Sequence, residues 1–355
     1  MKKRTVVLAV LATMVLLISA FAGCGKKGST EPTKAPDTTL TPTTEAEKPT
    51  GTPTNPPAEK LTIPVAALKG PTALGMLKLM EDAAAGTTAN NYEFTVAGAA
   101  DEITAGILKG ELPLAAVPCN LASVLYNKSQ GGVTMLGINT LGVLYIVETG
   151  DTIQSVADLK GKTIYSTGKG TTPEYTLVQL LKSAGLDPEK DVTIEFKSEA
   201  TEVAALLSNA EDAVAMLPQP YVTTVLNSNE KVRIALDVTK EWEKLNDNST
   251  VVTGVVVANT KFLNENREAV EAFMEEYAVS AAYTVEHVEE AAALSEKFDI
   301  FKAAIAKKAI PYCNIVFIEG DEMQSKAGAY LQVLYEQNPA AVGGAMPEEG
   351  FYFKR

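Results

Sequence analysis

From Leu61 to Asn338 the chain alternates short apolar runs with amphipathic segments of helical length. LTIPVAAL, YEFTVAG and LPLAAVP have strand character, and PTALGMLKLMEDAAAG, DEITAGILKG and NLASVLYNKSQ follow them as helices. A second block repeats the order. KTIYS, VTIEFKS, DAVAMLP and VRIALD are its strands, with helical segments from Thr172 to Ala184, over EVAALLSN and over PYVTTVLNS between them. Such alternation covers both faces of open, mostly parallel sheets with helices, so the predicted class is α/β. VTMLGINTLGVLYIVE is too long for a single strand. VVTGVVVAN is another β-branched run, before a helical region from Asn264 to about Ala293 and a late strand and helix over YCNIVFIEG and DEMQSKAGAYLQVLYEQN.

The two blocks share their corners. Leu68-Lys69-Gly70-Pro71-Thr72 and Val117-Pro118-Cys119-Asn120 each end a strand and open a helix, as do Gly168 to Pro173 and Leu217-Pro218-Gln219-Pro220-Tyr221. In an open parallel sheet, ligands collect at the carboxyl ends of the strands. Corners from two domains can therefore face one cleft. The stretch STGKGTTPEY could cradle an anion on its backbone, but it is not a nucleotide loop. Lys169 is followed by Gly170 rather than a hydroxyl residue, and Val156 stands where the Gly161-Lys162-Thr163 run would need its first glycine. Pro173 breaks the GxGxxG pattern.

The N-terminus points outside the cytoplasm. MKKR, the apolar run VVLAVLATMVLLISAFA and Gly23-Cys24 make residues 1–23 a secretory signal with a lipobox-like end, although Phe21 stands where leucine is usual. Cleavage would leave Cys24 as the lipid-attachment residue. Gly25 to Ala58 holds ten threonines and seven prolines in 34 residues, with Leu40 its one large aliphatic. It cannot bury enough apolar surface to order itself, so 24–58 is expected to be a lipid-anchored tether. The body from Glu59 carries 24 Lys/Arg against 40 Asp/Glu, a net of −16. That balance argues against nucleic acid or an anionic lipid surface as partner. Its length suggests two domains.

Catalytic and metal chemistry find little support. His287 is the single histidine, in the charged run VEHVEE. Cys119 and Cys313 could form a disulfide or remain buried thiols, and they make no CxxC or Cys/His cluster. No catalytic residues, metal ligands or cofactors are expected.

The segments GPTALG, GINTLGVLYIVE, SVADLKGKTIY, GKGTTPEY and VVTGVVVANTKFL resemble those of the type 2 periplasmic-binding-protein fold. Within it, the chain is similar to solute receptors of ABC importers for nitrate, sulfonates, taurine and thiamine pyrimidines. The resemblance runs from Leu61 to about Glu336. It implies two lobes, each an open mostly parallel sheet flanked by helices, with 59–141 and 253–355 as lobe 1 and 142–252 as lobe 2. Hinge crossings would lie at Leu141, Gly142, Thr253 and Gly254; the two glycines either absorb dihedral change or allow close packing. The expected ligand-binding residues are Lys69, Gly70, Thr72, Asn120, Gly168, Gly170, Thr171, Thr172, Gln219 and Tyr221. Lys69 and Lys169 either neutralise an anion or are simply solvated; Asn120 and Gln219 either orient a ligand or cap helices. Tyr92, Tyr175, Tyr221 and Trp242 are candidate stacking surfaces or ordinary core and rim aromatics. The implied protein is a monomeric receptor on the outer face of a bacterial membrane, with a small solute and ABC permease subunits as partners. No corner carries arginine, which weakens an anion clamp and makes a neutral or zwitterionic heterocycle such as a vitamin precursor a rival solute. An enzyme of the thiamine-pyrimidine synthase type is the other alternative, and it would need the histidine and metal ligands that these corners lack.

Overall fold

A computed structural model describes residues 60–245 and 248–355. The signal segment 1–23, Cys24 and the Thr/Pro-rich tether lie outside the described residues. Among the described residues eleven strands are formed: β1 (Thr62–Leu68), β2 (Asn91–Ala97), β3 (Leu114–Pro118), β4 (Val133–Thr140), β5 (Leu144–Thr149), β6 (Thr163–Ser166), β7 (Thr193–Phe196), β8 (Val214–Pro218), β9 (Val232–Asp237), β10 (Gly254–Asn259) and β11 (Ile315–Ile318). They build one six-stranded sheet, ordered β11-β4-β10-β3-β1-β2, and one five-stranded sheet, ordered β7-β6-β8-β5-β9. The long apolar run is thus divided, β4 in the first sheet and β5 in the second.

Both sheets are mixed. β1 pairs in parallel with β2 and β3, and β6 with β7 and β8. The expectation of mostly parallel sheets holds for the direction of most strands, with exceptions at the strands that enter from the other lobe. β10 runs antiparallel to β3 and β4, and β5 antiparallel to β8 and β9. The reason is geometric. A strand arriving from the opposite lobe enters at the end where the corner-bearing strands finish, so it must run against them. β11 is also antiparallel, on the edge beside β4.

β4 is buried along all its residues because helices cover both of its faces, which explains its unbroken apolar character. One apolar cluster runs from Val117 and Tyr330 in the first lobe to Leu177 and Trp242 in the second. The helix Gly320–Gln337 carries this seam. Tyr330 shares a 2.7 Å hydrogen bond with the Thr176 hydroxyl and packs its ring 5.2 Å from that of Trp242. After Asn338 two short 3₁₀ turns lie beneath the first sheet, where Tyr352 bridges to Met135. The long helical region divides at His287 into Arg267–Glu286 and Val288–Lys297, and the histidine is exposed beside Tyr283. Cys119 and Cys313 are free, buried thiols in separate clusters, and burial pushes both upward in pKa. Among the described residues no helix is long and apolar enough to cross a membrane.

Candidate functional site

Three strand-to-helix corners from each sheet line one cleft of about 500 Å³. From the first sheet come Lys69 to Thr72 after β1, Gly98 to Asp101 after β2, and Pro118 after β3. The second sheet answers with Thr167 to Pro173 after β6, Lys197 to Ala200 after β7, and Pro218 and Tyr221 after β8. Thr140, Val143, Leu144 and Thr253, from the crossings, complete the lining. The volume suits a small organic molecule.

Of the residues singled out in the sequence, Lys69, Gly70, Thr72, Gly168, Gly170, Thr171, Thr172 and Tyr221 meet on this cleft. Gly168 and Gly170 have φ of 73° and 76°, a backbone that other residues rarely adopt. At Gly168 a Cβ would also lie 2.6 Å from the Thr171 hydroxyl. The loop is more self-contained than its sequence suggests. The Gly170 N–H donates to the Glu174 carboxylate, and both the N–H and the hydroxyl of Thr171 donate to the Gly168 carbonyl. The Thr72 hydroxyl donates to the Leu68 carbonyl at 2.7 Å. Burial pushes the Tyr221 phenol upward in pKa, and the nearby Glu199 charge adds to the effect, so the ring stays neutral.

Asn120 and Gln219 do not line the cleft. Asn120 is fully buried and joins the lobes. Its Nδ2 donates to the Gly170 carbonyl at 3.2 Å and the Ala341 carbonyl at 2.9 Å, while its Oδ1 accepts from the Thr172 hydroxyl at 3.3 Å. Gln219 Oε1 caps the following helix by accepting from the Thr223 N–H and hydroxyl. Trp242 lies in the seam, Tyr175 lines a different groove, and the buried Tyr92 donates its hydroxyl to Glu276 at 2.6 Å.

The crossings contain the residues named for them: Leu141 and Gly142 between β4 and β5, Thr253 before β10, and Gly254 opening it. Neither glycine has a positive φ. Close packing is what demands glycine in this arrangement. A Cβ at 142 would collide with the Thr239 hydroxyl, and one at 254 would lie 2.6 Å from Asn139 Oδ1 and 2.8 Å from Thr72 Cγ2. Asn314 also donates its Nδ2 to the Gly142 carbonyl.

Sequence reasoning missed the corners after β2 and β7. Their signal was present, since YEFTVAG and VTIEFKS are each followed by a helix, but the first corner has Gly98 alone as punctuation and the second has neither glycine nor proline. They contribute Asp101, Lys197 and Glu199. With Lys69 and Lys169 the cleft holds cations and carboxylates together, and no arginine is among its lining residues. The Glu199 carboxylate of one lobe lies over Gly98 of the other, so close that a Cβ at 98 would be 2.7 Å from it. Phe301 crosses in the opposite sense, edge-on to Tyr221 at 5.1 Å and packed against the apolar cluster of the second lobe. The lobes are therefore in contact at both of these points.

Residues 133–291 match the model of the NMT1/THI5 like family. Among solved structures, an ABC transporter protein from Parabacteroides distasonis is similar, with 24% identity, a TM-score of 0.69, and coverage of 83% of this chain and 100% of that one. The periplasmic aliphatic sulphonate binding protein SsuA from Escherichia coli has a TM-score of 0.64 at 16% identity, over 82% of this chain and 92% of its own. The chain has the two-lobed fold of periplasmic solute-binding proteins. The periplasmic nitrate-binding protein NrtA from Synechocystis shares it more distantly, with a TM-score of 0.54 at 13% identity over 73% of this chain and 69% of that one. No curated protein matches the chain in sequence. In this chain the six corners meet between the two sheets.

Proposed function

We infer that the protein is an extracytoplasmic solute receptor that captures a small polar molecule between its lobes and delivers it to an ABC import permease. The observation that carries this reading is the convergence of six strand-to-helix corners, three from each sheet, on one cleft of ligand size. The fold shared with sulphonate- and nitrate-binding proteins supports it. Lys69, Lys169 and Lys197 would face an anionic group, with Tyr221 and the Thr171–Thr172 loop supplying hydrogen bonds. The reading is non-enzymatic, and the receptor would act as a monomer. The signal and the Gly23-Cys24 ending support a lipid anchor on the outer face of the membrane. A specific observation also favours an uncharged or zwitterionic heterocycle as solute. Asp101 and Glu199 line the same cleft as the lysines, so the site is not a dedicated anion trap.

The test is a thermal-shift screen of the body from Glu59 against nitrate, alkanesulfonates, taurine, pyrimidines and other vitamins. A true solute at a hundred times its dissociation constant adds about 2.7 kcal/mol of stability. With that solute in hand, Thr171→Ala is expected to cost about 1 kcal/mol of binding. Gly170→Val should cost more, because a β-branched residue opposes the positive φ on which the loop depends. Calorimetry on folded variants decides, and wild-type affinity in Gly170→Val would reduce the loop to a connector. The anchor has its own test. Cys24→Ser is expected to abolish fatty-acid labelling and release a folded body, so label persisting in the variant would exclude Cys24 as acceptor.

A further inference from the structure

A second groove, of about 520 Å³, adjoins the corner after β8 and shares no lining residue with the cleft. Its walls come from the helix Tyr221–Ser228, from the edge strand β9 and, ahead of β11, from Lys308 and Tyr312. Nine large apolar side chains are exposed among the described residues, and three of them, Leu226, Ile234 and Tyr312, stand around this one concavity. Single exposed apolar residues need no explanation, but three from separate elements on one groove mark a binding surface.

The polar groups of the groove are few and fixed. Gln219 is 2% exposed, and its Oε1 accepts from both the N–H and the hydroxyl of Thr223. A backbone N–H can only donate, so the amide cannot be turned round. Its Nε2 is left facing the groove as an oriented donor, with no partner among the described residues. Two helical turns further on, about 11 Å away, Lys308 donates to the neutral Asn227 Oδ1 at 2.8 Å and forms no ion pair among the described residues. Asp237 is committed elsewhere. Its carboxylate accepts from the N–H groups of Thr239 and Lys240 and pairs with the Lys240 ammonium at 3.4 Å. The groove therefore has a neutral donor at one end, an unpaired cation at the other and an apolar wall along it. We propose that it is a second ligand site, for an elongated molecule with an apolar middle, a carboxylate held by Lys308 and an oxygen acceptor held by Gln219. A concavity of this volume with apolar walls and a few oriented polar groups has the anatomy of a small-molecule site. The site does not depend on what the cleft binds.

The probe is octanedioate, an apolar chain with a carboxylate at each end, and the measurement is calorimetry on the protein. Octanedioate is expected to bind, and the corresponding uncharged diol to bind about tenfold more weakly. Lys308→Glu should cost at least that factor, and Ile234→Ser should weaken binding severalfold through lost apolar contact. Both residues are exposed, so these variants keep the fold. Octanoate, which has no acceptor for Gln219, should bind the wild type more weakly than octanedioate, and Gln219→Met should remove the difference. Lys69→Ala lies in the cleft and should bind octanedioate like the wild type. No binding of octanedioate, or binding that Lys308→Glu leaves unchanged, would overturn the proposal. Binding lost in Lys69→Ala but kept in Lys308→Glu would move the probe to the cleft and overturn it too. Equal affinities for octanoate and octanedioate would deny Gln219 its part, whether or not Gln219→Met folds, and with it the two-ended site. Self-association in sedimentation that Ile234→Ser abolishes would give the groove to a second copy of the chain instead.

Discussion

Arg233→Ala is expected to lower the unfolding free energy by about 3 kcal/mol at neutral pH, because it strands a buried carboxylate. Glu148, on β5, is only 2% exposed and pairs with Arg233 on the adjacent strand β9. The guanidinium also donates to the Ile153 carbonyl at 2.7 Å and the Gly150 carbonyl at 3.1 Å, so it fastens the loop after β5. Burial by itself would raise the Glu148 carboxyl. The Ile153 N–H, the hydroxyl and N–H of Thr152 and the Arg233 charge outweigh it and hold the carboxyl below the usual glutamate range. A depressed folded value means that this stabilisation is fully present above the ordinary glutamate range. It is lost as pH falls through the folded value. The gap between wild type and variant should therefore narrow on acidification, as protonation relieves the stranded charge. Urea denaturation at neutral pH and at about pH 3 measures both limits. A gap that stays constant would show that Arg233 acts through packing rather than charge.

Trp242→Ala should cost about 4 kcal/mol, the scale for emptying a buried tryptophan site. Trp242 is fully buried, its indole donates to the Ser249 hydroxyl at 3.2 Å, and its ring meets Tyr330 from the C-terminal helix. The cavity would open in the seam that joins the lobes, so the two lobes should also melt less cooperatively. Tyr330→Phe removes only the hydroxyl that meets Thr176 and should cost about 1 kcal/mol. Calorimetry on both variants gives the comparison. A loss in Trp242→Ala below about 1 kcal/mol would mean that the seam collapses freely and is not a rigid joint.

Much of the cleft lining was legible because its signals are local. Gly168, Gly170 and Pro173 announce a turn into a helix by their own backbone preferences, and Lys69-Gly70-Pro71 does the same. The corner at Gly98–Asp101 carries a single glycine and that at Lys197–Ala200 neither glycine nor proline, so their charged residues, Asp101, Lys197 and Glu199, went unread. Asn120 and Gln219 stand at equivalent corners in sequence, yet both turn away from the cleft. One is taken by the opposite lobe and the other by its own helix, and such competition among partners is invisible in a linear pattern.

Periodicity and turn chemistry depend on neighbours along the chain, so the sequence by itself determined the α/β class, the two blocks and the split of 133–148 between strands. Strand order, the reversed direction of β5 and β10, and the seam from Trp242 to Tyr330 were decided only in the tertiary structure. Those features depend on residues far apart in the chain competing for the same buried space. The crossings show the difference most plainly. Gly142 and Gly254 could be glycine for flexibility or for fit, and only the positions of Thr239, Asn139 and Thr72 show that, in this arrangement, the packing leaves no room for a side chain.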